Sequence, residues 1–207
     1  MKYNIQDIAK IVGGKLHVHD ESAIEIEYLL TDSRKIVSPE MSLFFAIKGV
    51  RHDGHRFIEE LLRSGVKNFV VSHYFDKYAS TDCNFIVVND ALVAMQQLAA
   101  HHRKQFDIPV IGITGSNGKT IIKEWLYLLL RNEYNIVRSP KSYNSQVGVP
   151  LSVWQMNENH TLGIFEAGIS KPGEMEKLHA PEKDTSTSSI ANCTGGVVVK
   201  VTRSTPT

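Results

Sequence analysis

A glycine-rich segment at residues 112–120, Gly-Ile-Thr-Gly-Ser-Asn-Gly-Lys-Thr, has the residue types of a phosphate-binding loop. It lies between a predicted buried strand and a predicted helix, so free backbone N–H groups and the helix dipole would face an anion. Lys119 can neutralise the β- and γ-phosphate oxygens of ATP. The general loop pattern has a glycine where Ile113 stands. A glycine-rich turn with a surface lysine is the alternative, but the position between strand and helix favours a nucleotide site.

Thr120 and Glu166 offer the oxygen ligands that Mg²⁺ prefers. Glu166 ends an apolar run, and an acidic residue at the carboxyl end of a strand in an open parallel sheet faces the ligand crevice. A solvated glutamate that opens a turn is an equal alternative. Asn144 could hydrogen-bond phosphate or a metal-bound water, although an ordinary asparagine turn fits its surroundings better. The residues predicted to bind ATP are Thr114, Gly115, Ser116, Asn117, Gly118, Lys119, Thr120 and Asn144.

Polar residues also follow a strand-like run earlier in the chain. Thr31, Asp32, Ser33 and Arg34 come directly after the run at 24–30 and place hydroxyl, carboxylate and guanidinium groups at one strand tip. An arginine suits bidentate contact with an anion. The Asp-Gly-His that follows at residues 53–55 is equally typical of a turn with a helix N-cap. From residue types alone, surface turns are the favoured interpretation of both segments.

The pattern of elements predicts an α/β protein with two domains and a tail. Residues 1–106 have the runs of a small mixed α/β domain, and residues 107–180 alternate strand, turn, helix and strand. That alternation implies a parallel sheet with helices on its faces, as in the first part of a P-loop ATPase domain. Residues 181–207 are rich in serine and threonine, which predicts disorder. Within them, Val-Val-Val-Lys-Val could form a short edge strand.

Composition excludes several classes of protein. The 207 residues are 42% apolar and carry a formal net charge of +1, which suits a globular protein without a bulk polyanion-binding surface. Cys83 and Cys193 lack metal or redox spacing, and the nine histidines form no convincing catalytic triad. There is no apolar signal region at the N-terminus and no run of about 20 apolar residues. The predicted location is the cytoplasm.

Taken together and in this order, the polar segments resemble the Mur ligases of peptidoglycan synthesis, from about residue 3 to Leu178. The family's Thr-Gly-[Ser/Thr]-Asn-Gly-Lys-Thr loop matches residues 114–120 and tolerates the isoleucine before it. Its Asn-x-x-x-Gly-x-Pro element matches residues 144–150, and its Glu-x-Gly-x-x-x-x-Gly-Glu element matches 166–174. Its Thr-Asp-Ser-Arg and Asp-Gly-His-x-Phe-Ile elements match the polar segments of the N-terminal domain.

The resemblance implies roles for these residues. Glu166 would bind Mg²⁺, Lys119 would be catalytic, and Thr31–Arg34 would hold the UDP part of the substrate, which overturns the surface-turn interpretation. The implied reaction is an ATP-dependent ligation in which an acyl phosphate of UDP-MurNAc-tripeptide is attacked by D-Ala-D-Ala. The Glu-Ala-Gly-Ile-Ser-Lys-Pro-Gly-Glu-Met run at 166–175 favours this specificity, and the racemase-fused form of such ligases is most similar. A Mur ligase that adds the third peptide residue is the alternative.

The resemblance stops after Leu178, where relatives continue with further sheet and domain elements. We therefore expect a truncated ligase that is inactive by itself and exposes a sheet edge and apolar surface for association. A nucleotide- or UDP-sugar-binding module without catalysis is a second expectation. A small P-loop kinase or NTPase is a third, although Arg203 is a poor candidate for the lid arginine that such an enzyme needs.

Overall fold

A computed structural model of the chain describes residues 1–18, 24–50, 52–78, 81–168, 191–193 and 197–202. The chain divides into two units, residues 1–98 and 99–207. The division falls within helix α3 (Ala91–Lys104), close to the predicted boundary after residue 106. Among the described residues, no helix has both the length and the apolar composition needed to cross a membrane.

The first unit is built on a five-stranded sheet in the order β2-β7-β6-β5-β4. In this sheet β4, β5, β6 and β7 run parallel, and β2 is antiparallel to β7. A small antiparallel pair, β1 with β3, lies outside it. The elements are β1 (Tyr3–Asn4), α1 (Ile5–Ile11), β2 (Lys15–His17), β3 (Glu25–Ile26), β4 (Tyr28–Leu30), β5 (Ser42–Phe45), a 3₁₀ helix (Gly54–Phe57), α2 (Ile58–Arg63), β6 (Asn68–Val71), a second 3₁₀ helix (Asp76–Tyr78), β7 (Asn84–Val87) and α3.

The middle strands of this sheet are buried because they are apolar on both faces, which is typical of parallel strands covered on each side. Phe44, Phe69 and Phe85 lie next to one another on β5, β6 and β7. Phe69 stacks on Phe85 with ring centroids 5.3 Å apart, and Phe44 meets Phe69 edge-on at 6.3 Å. This aromatic row fixes the sheet whose far ends carry the polar segments.

Two buried asparagines begin the neighbouring strands β6 and β7. Asn68 and Asn84 are paired in register, and the Asn84 side-chain amide donates to Asn68 Oδ1 at 2.9 Å. The Asn68 amide donates in turn to the carbonyls of Glu40 and Ser42, at 3.2 and 3.3 Å. Because buried amides need partners, this chain of hydrogen bonds specifies the register of three strands at their amino ends.

The second unit contains a five-stranded sheet in the order β11-β12-β8-β10-β9. The strands β8, β10 and β9 are parallel, which confirms the predicted α/β rhythm. The elements are β8 (Val110–Gly115), α4 (Lys119–Leu130), β9 (Ile136–Arg138), α5 (Gly148–Val153), β10 (Leu162–Glu166), β11 (Ala191–Cys193) and β12 (Val197–Thr202). The carboxyl ends of the parallel strands therefore bring the phosphate loop and Glu166 to one edge.

The predicted valine-rich strand has a definite partner in the structure. It forms β12, which pairs antiparallel with β8 along Val110–Gly115, and because β11 pairs on its other side it is not the edge strand that the sequence predicts. The strand β8 is thus interior in the described sheet, because β-branched residues provide a run able to pair along its whole length. The rest of the predicted tail lies outside the described residues, apart from β11, and its disorder stays a prediction.

Helix α4 does not bury the face that the sequence predicts. We expected Ile121, Ile122, Trp125, Leu128 and Leu129 to share one apolar face against the sheet. Of these, only Ile122 packs there, together with other side chains of the same helical row. The remaining four are between 54% and 73% exposed. The row that faces the sheet is set by the inward side chain of residue 123, described below, and association through the exposed row stays a prediction.

His102 is buried near the end of α3 and is held there as a neutral ring. Its Nε2 lies 3.1 Å from the carbonyl oxygen of Met156, and the ring packs against Phe106 and Trp154. Burial lowers the pKa of His102 from 6.5 to about 4. The folded chain therefore resists protonation of a ring that the unfolded chain protonates readily.

We expect the stability of the chain to fall as pH drops from 6.5 towards 4. His102 binds a proton near pH 6.5 in the unfolded state and only near pH 4 in the folded state. The neutral buried ring therefore contributes its full stabilisation above pH 6.5. Its loss amounts to roughly 3 kcal/mol of unfolding free energy by pH 4. Urea denaturation at a series of pH values measures it. His102→Gln should flatten the curve in this window, while His101→Gln should not, and an unchanged curve in His102→Gln would contradict the assignment.

Candidate functional site

The phosphate loop joins β8 to α4 through two glycines with positive φ. Gly115 has a φ of 145° and Gly118, the N-cap of α4, a φ of 80°. Side chains other than glycine adopt such backbone rarely, so the loop shape explains why glycine stands at these positions. The Lys119 ammonium folds back over the loop and donates to the carbonyl of Gly115 at 2.5 Å. The lysine side chain thus reaches back to the first glycine of the loop.

Thr114 and Thr120 place hydroxyl groups at the two ends of this loop. Thr114 is buried on β8, and its Oγ1 has no hydrogen-bond partner among the described residues. The Thr120 hydroxyl, in the first turn of α4, donates to Glu166 Oε2 at 3.2 Å. Glu166 is the last residue of β10 and lies in register with Ile113 of β8. The structure therefore brings together the two residues predicted to bind Mg²⁺.

Glu166 is completely buried, which excludes the solvated-turn interpretation. Its backbone N–H donates to Ser139 Oγ at 3.1 Å. Its Oε1 lies 2.9 Å from the ammonium of Lys123, whose side chain is also completely buried. This contact lacks hydrogen-bond geometry, so Oε1 is paired in charge but accepts no hydrogen bond from a described residue. A buried carboxylate of this kind requires a cation nearby.

Lys123 is the residue of this site that sequence reasoning missed. Its ammonium donates to the carbonyl of Ser139 at 2.9 Å and to the carbonyl of Lys141, and lies 3.4 Å from Glu124 Oε1. Lysines in helices are usually exposed, so the residue type alone does not single this one out. The available signal was its spacing, because Lys123 follows Lys119 by one helical turn and shares its face.

Asn144 lies beside the end of β10 through its backbone. Its carbonyl accepts a hydrogen bond of 2.7 Å from the N–H of Gly168. A Cβ atom at Gly168 would lie 2.7 Å from the same oxygen, which explains the need for glycine two residues after Glu166. The predicted positions Gly173 and Glu174, later in this segment, lie outside the described residues. The loop, Glu166 and Asn144 thus form one edge of the second unit.

Thr31–Arg34 follow β4 at the carboxyl edge of the first sheet and form a closed turn. The Arg34 guanidinium donates twice to Asp32, from Nε at 2.8 Å and from a terminal nitrogen at 2.9 Å, and its backbone N–H donates to Asp32 Oδ1. The side-chain hydrogen bond from Arg34 lowers the pKa of Asp32 to about 2. Because the arginine side chain is 84% exposed, it remains within reach of an anionic ligand.

Asp53, His55 and Ser72 form a second polar group at this edge, after β5 and β6. Asp53 caps the 3₁₀ helix by accepting from the His55 N–H, and its carboxylate lies 2.6 Å from His55 Nδ1. A Cβ atom at Gly54 would lie 2.8 Å from the backbone of Ala46, so the turn needs glycine. The hydrogen bond from the His55 side chain lowers the pKa of Asp53.

The contacts run from Asp53 to His55 to Ser72, as in the triad of a hydrolase, but the hydrogen bonds differ in function. The backbone N–H of Ser72 donates to His55 Nε2 at 3.1 Å, so this nitrogen is already an acceptor, and the Ser72 hydroxyl oxygen lies 3.2 Å from the same nitrogen. The proton must then lie on Nδ1, where it is donated to Asp53. His55 is therefore a structural link between the ends of β5 and β6, and sequence reasoning missed both Ser72 and His73, whose ring stacks on His55 at 4.7 Å.

Two family models match this chain. One, described as Mur ligase middle domain, covers residues 113–185, which contain the phosphate loop and Glu166. The other, described as Mur ligase family, catalytic domain, covers residues 25–103, which contain Thr31–Arg34 and the Asp53–His55 turn. Both polar edges described above therefore fall within matched segments.

Curated relatives agree with these matches. The UDP-N-acetylmuramoyl-tripeptide–D-alanyl-D-alanine ligase of Bacillus subtilis (strain 168) is 33% identical over 178 residues, which is 86% of this chain and 38% of that protein. The enzyme of the same name from Synechocystis sp. is 35% identical over 162 residues, which is 78% of this chain and 35% of that protein. The chain thus spans 38% and 35% of the length of these two relatives. Their names mention no racemase, so the likeness to a racemase-fused form stays a prediction.

Solved structures show the same fold. The UDP-N-acetylmuramoylalanyl-D-glutamyl-2,6-diaminopimelate–D-alanyl-D-alanyl ligase from Acinetobacter baumannii is 28% identical, with a TM-score of 0.77 over 86% of this chain and 39% of its own. The MurF ligase from Thermotoga maritima, in complex with ADP, is 30% identical, with a TM-score of 0.63 over 73% of this chain and 34% of that protein. The predicted α/β fold class is confirmed.

Lys123→Met should lower the free energy of unfolding by about 3–5 kcal/mol, because it leaves the buried Glu166 carboxylate without its counter-charge. Urea denaturation followed by circular dichroism measures the change. The matched control is Arg138→Met, which removes a partly exposed cation paired with Glu124 and stacked on Tyr127. That loss should be about 1–2 kcal/mol. Equal small losses in the two variants would contradict the buried-pair interpretation.

Proposed function

The chain belongs to the Mur ligase family, and from that premise we propose that it serves an ATP-dependent ligase that adds D-Ala-D-Ala to UDP-MurNAc-tripeptide. In this proposal the first unit holds the UDP end of the substrate, and the second unit holds the phosphates of ATP. The observation that carries the proposal is the contact between Thr120 and Glu166 at the mouth of the phosphate loop. The names of the curated relatives supply the two substrates.

The chemistry follows from the poor reactivity of a carboxylate. Phosphorylation by ATP converts the terminal carboxylate of the tripeptide into an acyl phosphate, which has a good leaving group. The amine of D-Ala-D-Ala then forms the amide bond and phosphate departs. Such a reaction needs positioned partners and stabilised charge rather than a protein nucleophile. Lys119 and the N–H groups at the start of α4 are the groups of this chain suited to that task.

Lys119 has a defined rearrangement to make when ATP binds. Its ammonium now donates to the Gly115 carbonyl, and we propose that it exchanges this oxygen for phosphate oxygens. A charge-assisted hydrogen bond to phosphate is stronger than one to a neutral carbonyl, so the exchange favours the bound state. Thr114, Gly115, Ser116, Asn117 and Gly118 would line the same phosphates, together with Asn144, whose carbonyl accepts from the Gly168 N–H just after β10.

The residues of this edge fit Mg²⁺. Thr120 Oγ1 and Glu166 Oε2 are 3.2 Å apart, close to the roughly 2.9 Å between neighbouring ligands of an octahedral ion with bonds of 2.0–2.1 Å. Both are hard oxygen ligands, and Mg²⁺ in such a site usually keeps waters and phosphate oxygens as its other ligands. When bound, the ion would neutralise phosphate charge. Thr120 and Glu166 would hold it.

At the other end of the substrate, we propose that Thr31, Asp32, Ser33 and Arg34 bind the UDP part. The support is the exposed guanidinium, which Asp32 holds in one orientation by two hydrogen bonds. A diphosphate would accept from the free edge of that guanidinium and from the hydroxyls of the turn. The cytoplasm is the location that this soluble substrate pair and ATP imply.

Lys119→Met should weaken binding of the ATP analogue AMP-PNP by roughly 10–100-fold, the equivalent of one charge-assisted hydrogen bond. Its affinity for UDP-MurNAc-tripeptide should stay unchanged. Arg34→Gln should have the opposite selectivity, so each variant is the control for the other. Isothermal titration calorimetry with both ligands measures the pattern. If both variants weaken both ligands alike, two separate sites are not supported.

Binding without catalysis is the second candidate function, favoured because the chain spans only 38% of the Bacillus subtilis relative. We expect the purified 207-residue chain to bind its ligands without turnover. Phosphate release in the presence of ATP, UDP-MurNAc-tripeptide and D-Ala-D-Ala measures this. Phosphate release that depends on D-Ala-D-Ala would show ligase activity. Release that is independent of D-Ala-D-Ala would favour a simple NTPase. Release that depends on a different amino acid would indicate the ligase that adds the third peptide residue.

A further inference from the structure

The orientation of the lysine in α4 is unusual for a helix of this composition. Lys123 points into the protein with no exposed surface, while Ile121, Trp125 and Leu128 point outwards. A buried ion pair seldom stabilises a fold more than packed apolar residues of similar volume would. The apolar side chains needed for such packing are present on α4 itself. Stability alone therefore does not account for a lysine at this position.

The contacts of Lys123 connect three segments of the second unit. Its ammonium donates to the carbonyls of Ser139 and Lys141, just after β9, and lies 2.9 Å from Glu166 Oε1 at the end of β10. An ammonium has three donors and no acceptor. Two of them are held by carbonyls whose positions are fixed by the backbone. The point of positive charge beside Glu166 is thereby set before any ligand arrives.

Glu166 is held from its backbone as well. Its N–H donates to the hydroxyl of Ser139, and the carbonyl of the same serine accepts from Lys123. Lys123, Ser139 and Glu166 thus form a closed ring of contacts. With Oε1 directed at the lysine, Oε2 is the oxygen left to face Thr120, at 3.2 Å from its hydroxyl. The ring fixes the orientation of the carboxylate, with one oxygen at the lysine and the other facing Thr120.

We propose that Lys123 is a positioning residue for the nucleotide site, which acts through Glu166 and presents its Oε2 to the cation that accompanies the nucleotide. This inference rests on the proposed function, because it takes Glu166 as a cation ligand. Lys123 touches neither phosphate nor cation in this role. Outer contacts that orient a metal-binding carboxylate typically change metal affinity by about 10–100-fold when removed.

The test is the effect of Mg²⁺ on AMP-PNP binding by the 207-residue chain, measured by calorimetry with and without MgCl₂. In the unaltered chain, Mg²⁺ should tighten binding. In Lys123→Met, the Mg²⁺-dependent gain should fall about 10–100-fold, while binding without Mg²⁺ stays close to the original value. Arg138→Met, which removes a cation that does not contact Glu166, should keep the full gain. A folded Lys123→Met that keeps the full gain overturns the inference.

A double variant separates positioning from a general structural role. Because Lys123 acts through Glu166, adding Lys123→Met to Glu166→Gln should cause no further loss of the Mg²⁺-dependent gain. An additional loss in the double variant would overturn the inference. If the unaltered chain shows no Mg²⁺-dependent gain at all, the proposed role of Thr120 and Glu166 fails first, and the inference fails with it.

If Lys123→Met does not fold, the unaltered chain still gives an answer. A lysine ammonium buried in this way should give a slowly exchanging ¹⁵N signal in a chain labelled at lysine. Adding MgCl₂ to the AMP-PNP complex should shift this signal, since the cation would bind the carboxylate that the ammonium contacts. An unshifted signal, alongside a Mg²⁺-dependent gain in affinity, would mean that Glu166 and its lysine lie outside the cation site.

Discussion

The second unit depends on a carboxylate that has no exposed surface. Glu166 ends β10, the middle one of the three parallel strands, and its charge is tolerable in the interior because the Lys123 ammonium lies 2.9 Å away. That requirement determines which side of α4 faces the sheet, and hence which apolar side chains remain exposed. It also ties the segment after β9 to the helix, since Ser139 and Lys141 supply the carbonyls that hold the lysine. The phosphate loop begins the helix that this lysine anchors.

Both units place their polar residues by the same rule. In each sheet the strands that matter run parallel, so the segments following them emerge at one edge. In the first unit this edge collects the Thr31–Arg34 turn, the Asp53–His55 turn and Ser72, and in the second it collects the phosphate loop, Glu166 and the Asn144 segment. The two edges differ in charge. The first combines a carboxylate and a guanidinium in an exposed pair, whereas the second buries its carboxylate beneath cationic groups.

Features governed by neighbouring residues could be predicted from the sequence, and features governed by distant partners could not. The loop glycines, the N-cap role of Asp53 and the parallel strands all follow from local spacing and apolar runs. Glu166 could be placed at a strand end, but its burial depends on Lys123 and Ser139, which are distant in sequence. The same limit explains why the exposed row of α4 was assigned to the core and why the partner of the valine-rich strand could not be named. At Thr31–Arg34 spacing alone favoured a surface turn, and the substrate-binding role stays a proposal that rests on the family resemblance.

The hydrogen-bonded pair of Asn68 and Asn84 lies at the amino ends of β6 and β7, far along the strands from the polar edge of the first sheet. Strands are stiff, and a slip of one residue moves every later position by about 3.3 Å and turns it to the opposite face. Ser72 would then leave His55, although nothing near either residue had changed. The positions of the polar turns at the carboxyl ends of these strands therefore depend on hydrogen bonds at their amino ends. Tolerance to sequence change in this domain should follow distance from those two amides as much as distance from the polar turns.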